Sequence, residues 1–218
     1  EINDLVIKRI NETYPEHSIY GEEKSEIKEN SKYIWICDPI DGTMAFSVGL
    51  PTFVFSLALV DQSNGLPVLG IVNDPVMKSM YWAYKGSGAY RNGKKIFVQN
   101  STTLKNTYFN VAASGRSIGF SNLPLIKTLS EMKCAVMKFP SFIYGGIQVP
   151  NGKYVGAVFF KEHGHDVAAL KIITEEAGGK VTDLNGNERR YDEDGIGCLV
   201  SNGILHDELL KIIQTGKL

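Results

Sequence analysis

What the sequence lacks narrows the field first. Three of its 218 residues are cysteines, Cys37, Cys134 and Cys198, far apart and without a CxxC pair, so neither a disulfide framework nor a cysteine zinc site is expected. No stretch reaches 18 consecutive apolar residues, and the opening EINDLVIKRINETYPEH carries charges where an export signal has its apolar segment. Neither a membrane span nor an export signal is therefore expected. Net charge is almost absent: 23 Lys and Arg against 24 Asp and Glu leave −1, which excludes a broad basic face for nucleic acid or an anionic membrane. Internal repeats, low-complexity runs and linkers are missing as well. What remains is an ordinary globular chain, 43% hydrophobic and 22% charged, expected in a reducing, cytoplasmic setting.

The elements that are present fall into two halves of one domain spanning 1–218. Ile2, Leu5, Val6 and Ile10 recur at helical spacing before Pro15 and predict an amphipathic helix over residues 2–14. The polar run 21–32 leads into a strand, Tyr33 to Cys37; further strands are expected at 53–60, 68–72 and 80–84. A hairpin turns at Asn92-Gly93 between 89–91 and 95–98. This first half, about 1–105, reads as antiparallel sheet. The second half, about 106–218, alternates: strand 108–112, helix 123–132, strands 135–139 and 154–160. A helix over HDVAALKIITEEAGG then presents Val167, Leu170, Ile173 and Ala177 on one face, followed by strand 197–201 and a last helix over 206–213.

The chemistry-bearing stretch is DPIDGT, residues 38–43, at the end of the buried strand. Two carboxylates held this close repel unless a proton or a cation lies between them. Oxygen-only ligands favour a hard cation, Mg2+ or Mn2+, over zinc. Pro39 and Gly42 also suit a plain turn that merely ends the strand. Glu22 lies in the loop before the strand, where Glu22-Glu23 alone would read as a solvated acidic pair, and Asp166 opens a helix, where an aspartate alone would read as an N-cap. Jointly, Glu22, Asp38, Asp41 and Asp166 supply carboxylate for two or three divalent ions. Gly42 and Thr43 add amides and a hydroxyl at a helix start suited to phosphate, a combination that points to phosphoryl chemistry on paired metals.

With Gly21-Glu22-Glu23, then Trp35-Ile36-Cys37-Asp38-Pro39-Ile40-Asp41-Gly42-Thr43, then Asp166-Val167-Ala168-Ala169 running into Glu176-Ala177-Gly178-Gly179, the sequence resembles the inositol monophosphatase-like phosphomonoesterases. The hairpin Gly86 to Gly93 matches the same pattern. The resemblance implies an α+β fold, an αβαβα layered sandwich, in a dimeric, Mg2+-dependent and lithium-sensitive enzyme. It implies that Glu22, Asp38 and the Ile40 carbonyl hold a first metal and that Asp38, Asp41 and Asp166 hold a second. Glu22 and Thr43 would orient the attacking water, and Gly42 with Thr43 would grip the phosphate.

The chain departs from that pattern at Trp, replaced by His165, which reads as a packing substitution beside an incidental His163. Glu162 is the candidate for reading substrate hydroxyls, in a segment shorter than its usual counterpart, and relatives of this kind carry a further helical segment ahead of where this sequence starts. The expected partner is a small phosphorylated polyol, inositol monophosphate first. Alternatives within the superfamily are histidinol phosphate, fructose 1,6-bisphosphate and a 3'-phosphonucleotide, for which Arg116, Lys161 and Phe142 would be wall candidates. The alternative from another class is a non-catalytic metal- or metabolite-binding homologue.

Overall fold

The structure, a computed structural model, describes residues 1–113, 122–160 and 162–215. Among these residues the first sheet takes seven strands in sequence order: β1 (Ser18–Gly21), β2 (Tyr33–Asp41), β3 (Val54–Asp61), β4 (Leu66–Asp74), β5 (Ser79–Tyr84), β6 (Ala89–Arg91) and β7 (Lys94–Ile96). Every pairing is antiparallel except β1 with β2. Sequential order follows from tight turns such as Asn92-Gly93, both at positive φ (48° and 76°), as a hairpin turn of the primed kind requires. Strand β2 is buried from Ile34 to Pro39 on both faces, in keeping with its nearly continuous apolar run.

The second sheet has the order β11-β12-β10-β8-β9, from β8 (Tyr108–Ala113), β9 (Ala135–Met137), β10 (Gly156–Phe160), β11 (Lys180–Asp183) and β12 (Cys198–Ser201). Among the described residues there are six helices: α1 (Ile2–Thr13), α2 (Thr43–Ser47), α3 (Leu123–Glu131), α4 (Phe142–Gly146), α5 (Gly164–Glu176) and α6 (His206–Thr215). Helix α1 covers one face of the first sheet through Ile10, packed with Ile19 and Trp35. Helices α4 and α5 lie between the two sheets in the main core, and α3 and α6 cover the outer face of the second sheet with Leu125, Leu129, Leu209 and Ile213. The layers run αβαβα. Among the described residues no helix is long and apolar enough to cross a membrane.

Two helices differ from their sequence patterns. Helix α5 is buried on every side from Gly164 to Thr174, not on one face, because sheets press on it from both directions. At Gly70 of β4 a Cβ would lie 2.6 Å from Ile172 Cγ2 and 2.9 Å from the Ala169 carbonyl, so only glycine admits the helix this close. The buried Lys171 is matched by Glu175 at 2.6 Å and Glu188 at 2.5 Å. Helix α1, conversely, turns a different face inward: Asn3 and Ile10 are buried while Ile2 and Leu5 are exposed. Strands β1 and β11 and helix α4 form where no local pattern announced them; β1 is short, and its ladder exists only because β2 lies alongside.

Candidate active site

Strand β2 ends in a bulge that decides where its two aspartates point. Asp38 pairs with Ser56 and Asp41 with Val54, so three steps on β2 match two on β3. In a regular strand residues three apart face opposite sides; the extra residue re-aims them, and Pro39, with no N–H, loses nothing by leaving the ladder. Asp38 Oδ1 then accepts the Ile40 amide at 2.9 Å. Gly42 follows at φ 90°, where a Cβ would stand 2.7 Å from Ser141 Cβ and 2.8 Å from the Thr52 carbonyl. Thr43 opens α2, is exposed, and donates its hydroxyl to the Ile40 carbonyl at 3.1 Å.

Asp41 is fastened to the start of α4. Its Oδ2 accepts the Ser141 hydroxyl, the Ile143 amide at 2.8 Å and the Tyr144 amide at 3.4 Å, and its Oδ1 accepts the Phe142 amide at 3.1 Å. Ser141 in turn accepts from the Tyr144 amide at 3.0 Å as the helix N-cap. Sequence reasoning missed this clamp, although serine one residue after a proline and just before Phe142-Ile143 is an N-cap signal that could have located it.

Asp166 stands at the third helical position of α5, not at its cap, and its Oδ2 accepts the His163 amide at 2.7 Å. That reciprocal bond fixes the helix start and leaves Oδ1 facing His165 Nε2 at 3.9 Å. The His165 ring stacks on His163 with centroids 5.1 Å apart and meets Tyr20 at 5.9 Å. Asp194 ties the rim together, accepting from the Tyr20 hydroxyl at 3.2 Å and lying 3.0 Å from His163 Nδ1.

The electrostatics follow from this convergence. Asp38, Asp41 and Asp166 are buried, and among the described residues no lysine or arginine pairs with any of them. Burial first, then the charges of Asp41, Glu22 and Asp166, push the Asp38 carboxyl far above the usual carboxylate range. Burial also raises Asp41, against the pull of the Ser141 hydroxyl and the α4 amides. Burial and the charge of Asp41 raise Asp166 to about 7. His165 is lowered to about 4 by burial, with His163 nearby, and is neutral at physiological pH. Exposed Glu22 is anchored by its amide to the Cys37 carbonyl at 3.1 Å, which sets it beside the strand end where its charge is felt at Asp38.

Carboxylates forced together without a cationic side chain suit a divalent cation, and one donor atom each from Asp38, His165 and Asp166 lie within 4.8 Å of one another. The donor set therefore fits the metal that the sequence pattern implies. Thus Glu22, Asp38, Ile40, Asp41, Gly42, Thr43 and Asp166 are gathered at one place. Glu162 is not with them: it is buried, and its Oε1 accepts Arg189 Nη2 at 2.6 Å while the Arg189 guanidinium lies over the Tyr191 ring. Its charge is already matched inside the protein. Phe142 packs edge-on against Phe159 in the core and forms no open wall; Arg116 and Lys161 lie outside the described residues.

Against known proteins, the model of the inositol monophosphatase family matches residues 1–217. The chain is 34% identical over 220 residues to the fructose-1,6-bisphosphatase/inositol-1-monophosphatase of Thermotoga maritima, covering 98% of this chain and 80% of that protein. It is 30% identical over 217 residues to the histidinol-phosphatase of Chlorobaculum parvum, covering 98% and 81%. The solved structure of an IMPase/NADP phosphatase complexed with Mg2+ and phosphate superposes with a TM-score of 0.85 at 25% identity, covering 97% of this chain and 80% of that one.

Proposed function

Since the chain belongs to the inositol monophosphatase family, phosphatases that hydrolyse phosphate monoesters, we propose that it releases phosphate from a small phosphorylated polyol, inositol monophosphate first. The observation that carries this reading is the buried carboxylate cluster at the end of β2 and the start of α5, without a basic side chain of the described residues to neutralise it. Asp38 and Asp166 serve as the central ligands, with Asp41 adding the free lone pair of its Oδ1 and Glu22 and the Ile40 carbonyl completing the set on the solvent side. Bound divalent cations supply Lewis acidity toward the phosphoryl oxygens and the departing alkoxide.

The chain's own groups do the rest. Thr43, with its proton given to the Ile40 carbonyl, keeps lone pairs to accept a hydrogen from water, and the exposed Glu22 takes up the proton as water attacks phosphorus. The first amides of α2 have no intrahelical partners and would meet a phosphate seated beside Gly42. The clamp of Ser141 and α4 on Asp41 holds that carboxylate in one orientation, so little reorganisation accompanies reaction.

The relatives named for fructose 1,6-bisphosphate, inositol 1-phosphate and histidinol phosphate define the substrate panel. Phosphate release is measured with Mg2+, with and without Li+, on inositol 1-phosphate, histidinol phosphate, fructose 1,6-bisphosphate and a 3'-phosphonucleotide. Metal-dependent release led by inositol 1-phosphate is the expected result. Preference for another member renames the substrate, and no release by folded protein on any of them overturns the catalytic reading.

A further inference from the structure

The carboxylate cluster contains one nitrogen donor, His165, that makes no hydrogen bond through its ring among the described residues. His165 is 9% exposed; among the described residues its Nδ1 is buried without a hydrogen-bond partner, and its Nε2 lies 3.9 Å from Asp166 Oδ1, too far for a hydrogen bond. A buried polar atom left alone costs about 1–3 kcal/mol, so a histidine kept only for packing ordinarily hydrogen-bonds through its ring; here Nε2, the nitrogen that faces Asp166, makes no hydrogen bond among the described residues and is free to bind an ion. The ring is also not free to turn elsewhere: His163 stacks on it at an interplanar angle of 14°, Tyr20 closes on it from β1, and both neighbours are tied to Asp194.

Its position suits coordination. Donor atoms of Asp38, His165 and Asp166 lie within 4.8 Å of one another, whereas two ligands with bonds of about 2.1 Å can be no more than about 4.2 Å apart. A closure of roughly half an ångström, the scale of a side-chain adjustment, would place all three on one ion. We propose that His165 is a nitrogen ligand of the ion held by Asp38 and Asp166, and that it gives this centre a preference for Mn2+ and related first-row divalent ions over Mg2+. The preference follows from chemistry: Mg2+ takes oxygen ligands and gains little from imidazole, whereas Mn2+ and its neighbours in the row accept nitrogen. The proposal rests on the reading of Asp38 and Asp166 as metal ligands, and it revises the sequence-based expectation that His165 only fills space.

The test adds Mn2+ alone to the full chain, as wild type, His165→Phe and His163→Phe. Directly bound nitrogen is read by electron spin-echo modulation, and Mn2+ and Mg2+ affinities by calorimetry. Nitrogen modulation is expected in the wild type and in His163→Phe and is lost in His165→Phe. Mn2+ binding by His165→Phe weakens by roughly tenfold or more while Mg2+ binding holds. Phenylalanine keeps the stacked ring, and the wild-type spectrum stands even if a variant fails to fold. Mn2+ bound by the wild type without nitrogen modulation, or modulation lost in His163→Phe instead, overturns the role of His165 and leaves the aspartates standing. Absence of any Mn2+ or Mg2+ binding by the folded wild type removes the metal reading itself.

Discussion

Replacing Asp166 with asparagine should stabilise the metal-free protein at alkaline pH while abolishing its response to metal. In the fold this carboxyl is raised to about 7 from an ordinary 3.8, by burial and by Asp41. The folded state thus binds the proton more tightly than the unfolded chain does, and the stability this contributes is complete below about pH 4 and is lost as pH rises through about 7. The loss above pH 7 is on the order of 4 kcal/mol at full value, from about 1.4 kcal/mol per pH unit. Relaxation and water penetration lower burial penalties of this kind, and about half of it, roughly 2 kcal/mol, is expected in the melts. Asparagine retains an oxygen for the His163 amide and carries no charge, so the variant lacks this pH dependence. Thermal melts in chelator should show Asp166→Asn exceeding the wild type by about 4–8 °C at pH 8 and converging with it near pH 4. Adding Mg2+ or Mn2+ at pH 8 should raise only the wild type, by about 4 kcal/mol at a thousandfold excess over Kd. A metal-free variant less stable than wild type at pH 8, with the same pH slope, would refute the account of a frustrated carboxylate cluster.

Arg189→Met should cost roughly 3–5 kcal/mol in urea unfolding, because it strands the buried Glu162 carboxylate, and the double variant with Glu162→Gln should recover most of that; equal losses in both would deny the pair its role. Gly42→Ala meets both a φ of 90° and the Ser141 and Thr52 contacts, so a loss on the order of 3 kcal/mol is expected in thermal melts, and an unchanged Tm would show that the turn relaxes freely. On the proposed role of its hydroxyl in orienting water, Thr43→Ala should lower kcat about a hundredfold with a smaller change in KM; a rise in KM at constant kcat would confine it to phosphate binding.

Local signals made some parts legible in the sequence and left others dark. The Asn92-Gly93 hairpin and the apolar run of β2 are written in adjacent residues, and the structure places them accordingly. The DPIDGT stretch could be assigned to a strand end, yet the bulge against Ser56 and Val54 that re-aims Asp38 and Asp41 depends on the partner strand. The grip of α4 on Asp41 spans a hundred residues and has no counterpart in local periodicity. Likewise α5 reads as amphipathic but is enclosed, because its second covering layer is formed by distant strands. Glu162 was legible as an acidic residue near the site, but Arg189, which neutralises it, lies 27 positions away. The N-terminal helix misled in a simpler way: with only Ile10 and Asn3 buried, its periodicity admits more than one inward face.

The central claim is that Asp38, Asp41 and Asp166 hold the divalent ions that serve phosphate-ester hydrolysis. Its most direct test is an anomalous-scattering map from crystals of this chain grown with Mn2+ and inorganic phosphate. Peaks within coordinating distance of Asp38 and Asp166, at least one of them also touching Asp41 Oδ1, with phosphate seated at the Gly42-Thr43 amides, are the predicted result. Ordered aspartates with no anomalous peak among them would contradict it.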